Sequence, residues 1–455
     1  MTCLMLDDHH HVDATEHAER TSTYASRWRM RAASTLLVSA VLALAGPVLA
    51  QSGASDHKHL GVASCASSVC HGKTAPQPPG HVPLNEYRIW FNDDRHAQAY
   101  HALESPQSRQ IAAKLGLPNA VQDICLNCHA DNVSKALQGP KFQLRDGVSC
   151  EVCHGASEKW IETHAQKGAT HGANVAQGLY PSERPLKRAE LCLSCHLGTR
   201  DHFATHQIMG AGHPRLYFEL GTFTVDQPAH FKITDYYVSR KGKIDTMNLW
   251  VTGQLEAAER YLALLQSPVF TPASIVPELS FYDCNACHHA KEKMRWSQTH
   301  AGAGVKPGTL RLQKQAFVML QAMLDALGSP DAASQLSSAT DALTRAGGVD
   351  AASVRAAAQK LLDQLHGLDG WTTRAYSSAD IGKVRKTILR YAAEDKASDY
   401  GTAEQVVLGV QSLSYALSDS GHKDTFKALF ASLGTGSDFN APQFAEVAKR
   451  AEAQF

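Results

Sequence analysis

Net charge of either sign is what this 455-residue chain most plainly lacks: 44 Lys and Arg stand against 44 Asp and Glu. That balance leaves no basic footprint for nucleic acid and no polybasic segment for an anionic membrane surface. Long apolar runs are missing as well. The run from Leu36 to Leu44 is too short to cross a bilayer as a helix. Methionine is scarce, with eight residues in all, so thioether ligands are in short supply. Residues 301–455 contain no cysteine and only two histidines, His366 and His422. Thiol and imidazole chemistry is therefore confined to the first two thirds of the chain.

There it is dense. Cys-x-x-Cys-His occurs four times: Cys125–Cys128–His129, Cys150–Cys153–His154, Cys192–Cys195–His196 and Cys284–Cys287–His288. A wider copy, Cys65–Cys70–His71, precedes them with two extra residues between the thiols. This spacing is the signature of covalent c-type haem attachment. Two thiols about one helical turn apart can each add to a haem vinyl group, and the next residue, His, lies beneath the ring as the proximal ligand. Ten of the eleven cysteines are used this way. The reading is five covalently bound haem c groups, with His71, His129, His154, His196 and His288 on iron. Zinc sites and disulfides are the competing readings. Zinc does not require a His after every second Cys, and a disulfide framework does not require the same spacing four times.

The N-terminus reads as a secretory signal: Arg27, Arg29 and Arg31, then the short apolar run, then Val48-Leu49-Ala50. Residues 1–50 are assigned to it, those before Met30 as an overlong start, with the mature chain beginning at Gln51. No cysteine stands at the cleavage point, so no lipid anchor is expected. An exported, periplasmic location agrees with covalent haem attachment, which takes place outside the cytoplasm.

Residues 51–300 read as a pentahaem domain and 301–455 as a helical one. Residues 51–64 form a polar lead-in. Five porphyrins between Cys65 and His288 leave too little protein for an ordinary apolar core, so the expected fold is mainly α with much irregular loop, built around stacked haems. Two helical patterns interrupt it, Asn85–Leu103 and Asp245–Ser267. Beyond 300, Ala316, Phe317, Leu320, Met323, Leu324 and Leu327 repeat on one helical face. Ser377 and Asp380 form a capping-box pattern. Five to seven helices in a bundle are expected, capping one side of the haems.

Each iron needs a sixth ligand or an open position. Between Gly72 and His300 the supply is eleven further histidines: His81, His96, His101, His164, His171, His202, His206, His213, His230, His289 and His300. That favours His/His haems of low potential. Spacing alone does not choose among them.

Four stretches carry a resemblance to multihaem c-type cytochromes related to the tetrahaem cytochrome c-554 of nitrifying bacteria. They are Asn85–Trp90 with Asp94–Ala97, Gly147–Gly155 with His164, His206–Glu219, and Asp283–His289 with Trp296. The likeness covers roughly residues 60–300. It implies that His96, His164, His206 and His213 are distal ligands; His230 is the fifth candidate, with His171 and His101 in reserve. The chain departs from the tetrahaem pattern in its fifth motif, its widened first motif and its helical C-terminus.

The function expected is electron transfer between a donor and an acceptor protein, with no bond chemistry on a substrate. The rival is an oxidoreductase acting on a small nitrogen or sulfur compound at one open iron. The resemblance points first to the haem of Cys125, Cys128 and His129, since the tetrahaem relative leaves one iron five-coordinate. Asp123 and Asp131 beside that motif read as solvated or capping groups. A third reading makes the chain a filament or complex subunit with the helical region as docking surface.

Overall fold

Three of the motifs close a helix. Asp123–His129, Cys150–His154 and Pro185–His196 each end on the motif histidine. Helical spacing puts residues i, i+3 and i+4 on one face, so both sulfurs and the imidazole leave the helix on the same side. The fourth Cys-x-x-Cys-His copy lies on a 3₁₀ turn, Cys284–Ala286. This computed structural model describes residues 56–75, 77–78, 81–230, 233–271, 276–288 and 309–455. The secretory-signal segment, Cys3, His289, Trp296 and His300 lie outside them.

The described chain is mostly helical, with long ordered loops in its first half. Among the described residues the only β contacts are two isolated bridges, His59 with Gln138 and Tyr282 with Leu312. The Asn85–Leu103 pattern is two helices and a 3₁₀ turn. Glu86–Asp93 ends where Asp94 turns extended, and Arg95–Gln98 and Ala99–Leu103 follow. The polar lead-in is laced into the structure from His59 on. The amides of Leu60 and Gly61 donate to the buried carboxylate of Glu151, at 2.8 and 2.7 Å.

The Asp245–Ser267 pattern is the helix Thr246–Leu265, whose first turn is capped by Asp245 accepting from the Asn248 amide at 2.9 Å. Burial runs all around it, from Met247, Leu249, Trp250 and Val251 to Leu262 and Leu265. A helix covered on most of its sides sits inside a core rather than on one. One side packs on Pro185–His196, the motif helix. The others pack on Gln315–Ala326, Ala351–Leu365 and Tyr400–Ala416. Gly253 permits the shorter helix Leu220–Asp226 to approach as well, since a Cβ there would stand 2.6 Å from the Leu220 Cβ.

Seven α-helices follow residue 309: Gln315–Ala326, Pro330–Ala346, Ala351–Leu365, Ser378–Ala393, Tyr400–Ala416, Lys423–Leu433 and Ala441–Glu452. The Ser377 and Asp380 capping box is formed, each side chain bonding the other's backbone amide. Their shared core runs back through Phe281, Phe270 and Trp250. The apolar centre of the protein is thus helical and lies beside the motif region. Leu413 is fully buried in that core, and Leu413→Ala should cost about 2–5 kcal/mol through lost burial and a residual cavity. Denaturant unfolding followed by far-UV circular dichroism measures it.

Candidate haem-binding site

Each motif histidine has a second imidazole facing it. Ring centres are 6.1 Å apart for His71 and His164, 6.2 Å for His96 and His196, 6.3 Å for His129 and His213, 6.3 Å for His154 and His230, and 6.1 Å for His206 and His288. The five partners are His164, His96, His213, His230 and His206, the candidates that the sequence offered. The reserves bond elsewhere: His171 to Glu183 at 2.8 Å and His101 to Glu104 at 3.1 Å.

The spacing discriminates between metals. A metal–imidazole bond of about 2 Å plus about 1.15 Å from nitrogen to ring centre puts two trans rings about 6.3 Å apart, and two tetrahedral ones about 5.1 Å apart. All five pairs have the spacing of two imidazoles on opposite sides of one metal, wider than a tetrahedral site would give. One three-donor cluster, Cys128, Cys195 and His202, brings its ligand atoms within 4.8 Å. Its two thiols come from different motifs, so it is a junction between motifs rather than the pattern repeated at each of them. A second such junction pairs Cys65 with Cys150 and pushes the Cys150 thiol upward.

Space for the rings is present. A continuous cavity of about 2090 Å³ is lined by the cysteines and histidines of the first four motifs and by His96, His164, His213 and His230. Trp160 also lines it; its buried Nε1 has no hydrogen-bond partner and offers a donor to a carboxylate such as a haem propionate. Arg188 and Lys241 stand in the same wall. Burial holds the Lys241 ammonium below its ordinary range, so an anion there would be favoured. The fifth motif meets a smaller cavity of about 110 Å³ through Cys284, and His196 lines the same cavity.

The anchoring of Nδ1 aims several rings. Nδ1 bonds the carbonyl of Ala99 in His129 (2.9 Å), of Ile161 in His164 (2.6 Å) and of Pro214 in His213 (2.7 Å). This fixes the tautomer and leaves the Nε2 lone pair for a metal. In two rings the partner is a carboxylate: Glu86 for His71 and Asp94 for His96, both at 2.9 Å. Those bonds raise the affinity of both imidazoles for protons. Burial does the opposite to His154, which falls to about 3 and is held as the neutral ring, the form able to bind a metal.

The segment bearing His96 is fastened to the third motif. Trp90 Nε1 donates to the Val148 carbonyl at 3.2 Å, and the Val148 amide donates to the His96 carbonyl at 3.1 Å. Gly147, with φ of 71°, is required there, because a Cβ would stand 2.8 Å from that same oxygen. Asp131 is neither solvated nor a cap: it is 3 % exposed and bonded by His59 Nδ1 at 2.9 Å and Ser149 Oγ at 2.8 Å. Of this supporting layer, Glu86, Asp94 and Glu151 drew no role from the sequence, and Asp131 drew the wrong one. Its one visible signal was a carboxylate two residues before His96 and another inside Cys150–Cys153.

Repeated thiol pairs, each beside an imidazole that faces a second one, four of them lining one apolar cavity, are the pattern of a c-type cytochrome with several haems. Residues 64–155, which span the first three motifs, match the family of cytochrome c554 and c-prime. No curated protein and no solved structure gives a significant match to the chain.

Beside His196 lies a carboxylate with its own pH signature. Phe218 stacks on His196 at 4.5 Å, and the next residue, Glu219, is fully buried. Burial raises its carboxyl to about 7 against amide bonds from Thr222 and Gly221 that pull it down. A carboxyl raised on folding adds stability below pH 4.5, lost as pH rises through about 7. Relative to Glu219→Gln, the wild type should lose on the order of 3 kcal/mol between pH 4.5 and about pH 8, read from guanidinium unfolding midpoints of the haem-loaded proteins.

Proposed function

We propose that the chain is an exported, periplasmic pentahaem cytochrome that passes single electrons between redox partners, with each iron held between two imidazoles. The five opposed histidine pairs carry this reading. Cys65 and Cys70, Cys125 and Cys128, Cys150 and Cys153, Cys192 and Cys195, and Cys284 and Cys287 would hold the rings. His71, His129, His154, His196 and His288 would bind from one face, and His164, His213, His230, His96 and His206 from the other. Bound haem supplies a one-electron couple, and two imidazoles in place of a Met ligand keep its potential low.

The protein's part is positioning. Anchored rings hold one coordination geometry in both oxidation states, so little has to move when an electron arrives. The contacts of Cys65 with Cys150 and of Cys128 with Cys195 support close neighbours among the rings. The rival enzyme reading needs an iron with one imidazole, and His213 opposite His129 weighs against it at the motif where it was most expected. We place the division of labour at residues 51–300 for the haems and 301–455 for their support. Leader, haem region and helical region then each have one task.

Intact mass and a haem-stained denaturing gel should give five covalent haems. The oxidised spectrum should be wholly low-spin, and the reduced protein should not respond to carbon monoxide. Electron paramagnetic resonance should separate two classes. The ring planes are 11° and 35° apart in the pairs of His71 and His288, but 89°, 90° and 86° in those of His196, His129 and His154. His213→Ala should turn one haem in five high-spin and open it to carbon monoxide. A high-spin, ligand-binding iron in the wild type would instead favour the enzyme.

A further inference from the structure

Of the two carboxylates behind imidazoles, Asp94 is the more deeply placed, at 4 % exposed against 16 % for the Glu86 side chain. One oxygen takes both the amide of His96, at 3.0 Å, and its Nδ1, at 2.9 Å; the other takes Gln227 Nε2 at 2.9 Å. Three donors converge on this carboxylate, which offsets the cost of burying its charge. Gln227 opens the segment Gln227-Pro228-Ala229-His230, and His230 is the ring that faces His154. Asp94 therefore joins the imidazole facing His196 to the strand of chain that carries the imidazole facing His154. For the pair of His129 and His213, by contrast, both Nδ1 partners are backbone carbonyls.

Resting on the bis-imidazole reading above, we propose that Asp94 is a positioning residue that makes the haem of Cys192 and Cys195 the lowest-potential station in the chain. A buried carboxylate draws the Nδ1 proton of His96 towards itself without removing it. The ring becomes a stronger electron donor through Nε2, which stabilises the oxidised iron over the reduced one. Reduction adds one electron to the metal, and no bond is made or broken. Gln227 moderates the effect, because its N–H lowers the basicity of the same carboxylate. Glu86 acts in the same sense on His71, but its carboxylate is 16 % exposed against 4 % for Asp94, and solvent weakens the pull.

Spectroelectrochemical titration of the holoprotein tests this through opposite signs. Asp94→Asn should raise the lowest midpoint by at least threefold in the oxidised-to-reduced ratio, about 28 mV at 59 mV per tenfold for one electron. Gln227→Leu, which leaves Asp94 and His96 paired, should lower the same midpoint. Asp94→Glu should restore part of the wild-type value. All variants should keep five haems and a low-spin spectrum. If Asp94→Asn matures poorly, Gln227→Leu alone decides. A midpoint that stays put or rises in Gln227→Leu, or stays put in Asp94→Asn, overturns the role of Asp94. A wild type with fewer than five haems, or with a high-spin iron, overturns the bis-imidazole reading instead, so the two failures are distinguishable.

Discussion

The facing of two imidazoles at a little over 6 Å is the constraint on which the rest of this protein depends. An imidazole ligates only when it is neutral and when its lone pair points at the metal. Both conditions are local and demanding. The first is met by burial, as at His154. The second is met by tying Nδ1 to a fixed acceptor, as at His129, His164 and His213. The loops between motifs follow from these needs. Gly147 lets one ligand segment press against the next motif, and Trp90 fastens it there.

The supporting layer explains how a region with so little apolar core holds buried charge. Glu151 is 2 % exposed and accepts from the amides of Leu60, Gly61 and Ser157 and from the Ser157 hydroxyl. Four donors occupy the carboxylate, so the nearby set of His59, Asp131 and Glu151 acts as a staple between residues 59–61 and the third motif. A buried anion without such donors would cost several kcal/mol. Here the charge is stable and ties together residues about ninety positions apart.

Much of the site was legible because covalent chemistry leaves a spacing that no other role demands. Cys-x-x-Cys-His names the attachment points and the first ligand together. The facing histidines were less legible, since a lone histidine carries no record of what faces it. His96, His164, His206 and His213 came from a resemblance and His230 from its neighbourhood, and each now faces a different motif. In the fold, Thr246–Leu265 was readable as a helix, with Asp245 as its cap. That it is buried on most of its sides was not, because Gly253, Gln254 and Glu256 look like a polar face. Gly253 is where Leu220 packs, and Gln254 bonds Gln405 across the core. Polarity in sequence does not reveal a partner more than a hundred residues away. The break at Asp94 was hidden for a related reason: an aspartate can sit in a helix, and its pull on His96 appears only in three dimensions.

The helical C-terminus makes physical sense as a buttress. The segment from His213 to Phe223 carries one facing imidazole and the ring stacked on His196, yet it has only one short helix of its own. Its hold comes from Tyr400–Ala416. Glu404 pairs with Arg215 at 2.6 Å, Gln405 Nε2 donates to the Phe218 carbonyl at 2.7 Å, and the Thr222 hydroxyl donates to the Leu408 carbonyl at 2.8 Å. The fifth motif is held likewise, by Asn285 donating to the Gly436 carbonyl at 2.7 Å. On the bis-imidazole reading proposed above, a segment free to shift by a few tenths of an ångström would change its metal–nitrogen bond, and with it the reorganisation that each electron must overcome. Packing that segment against a dense helical core, rather than against its own loops, removes that freedom. The long apolar extension and the imidazole pairs are two parts of one solution, since the first supplies the rigidity that the second requires.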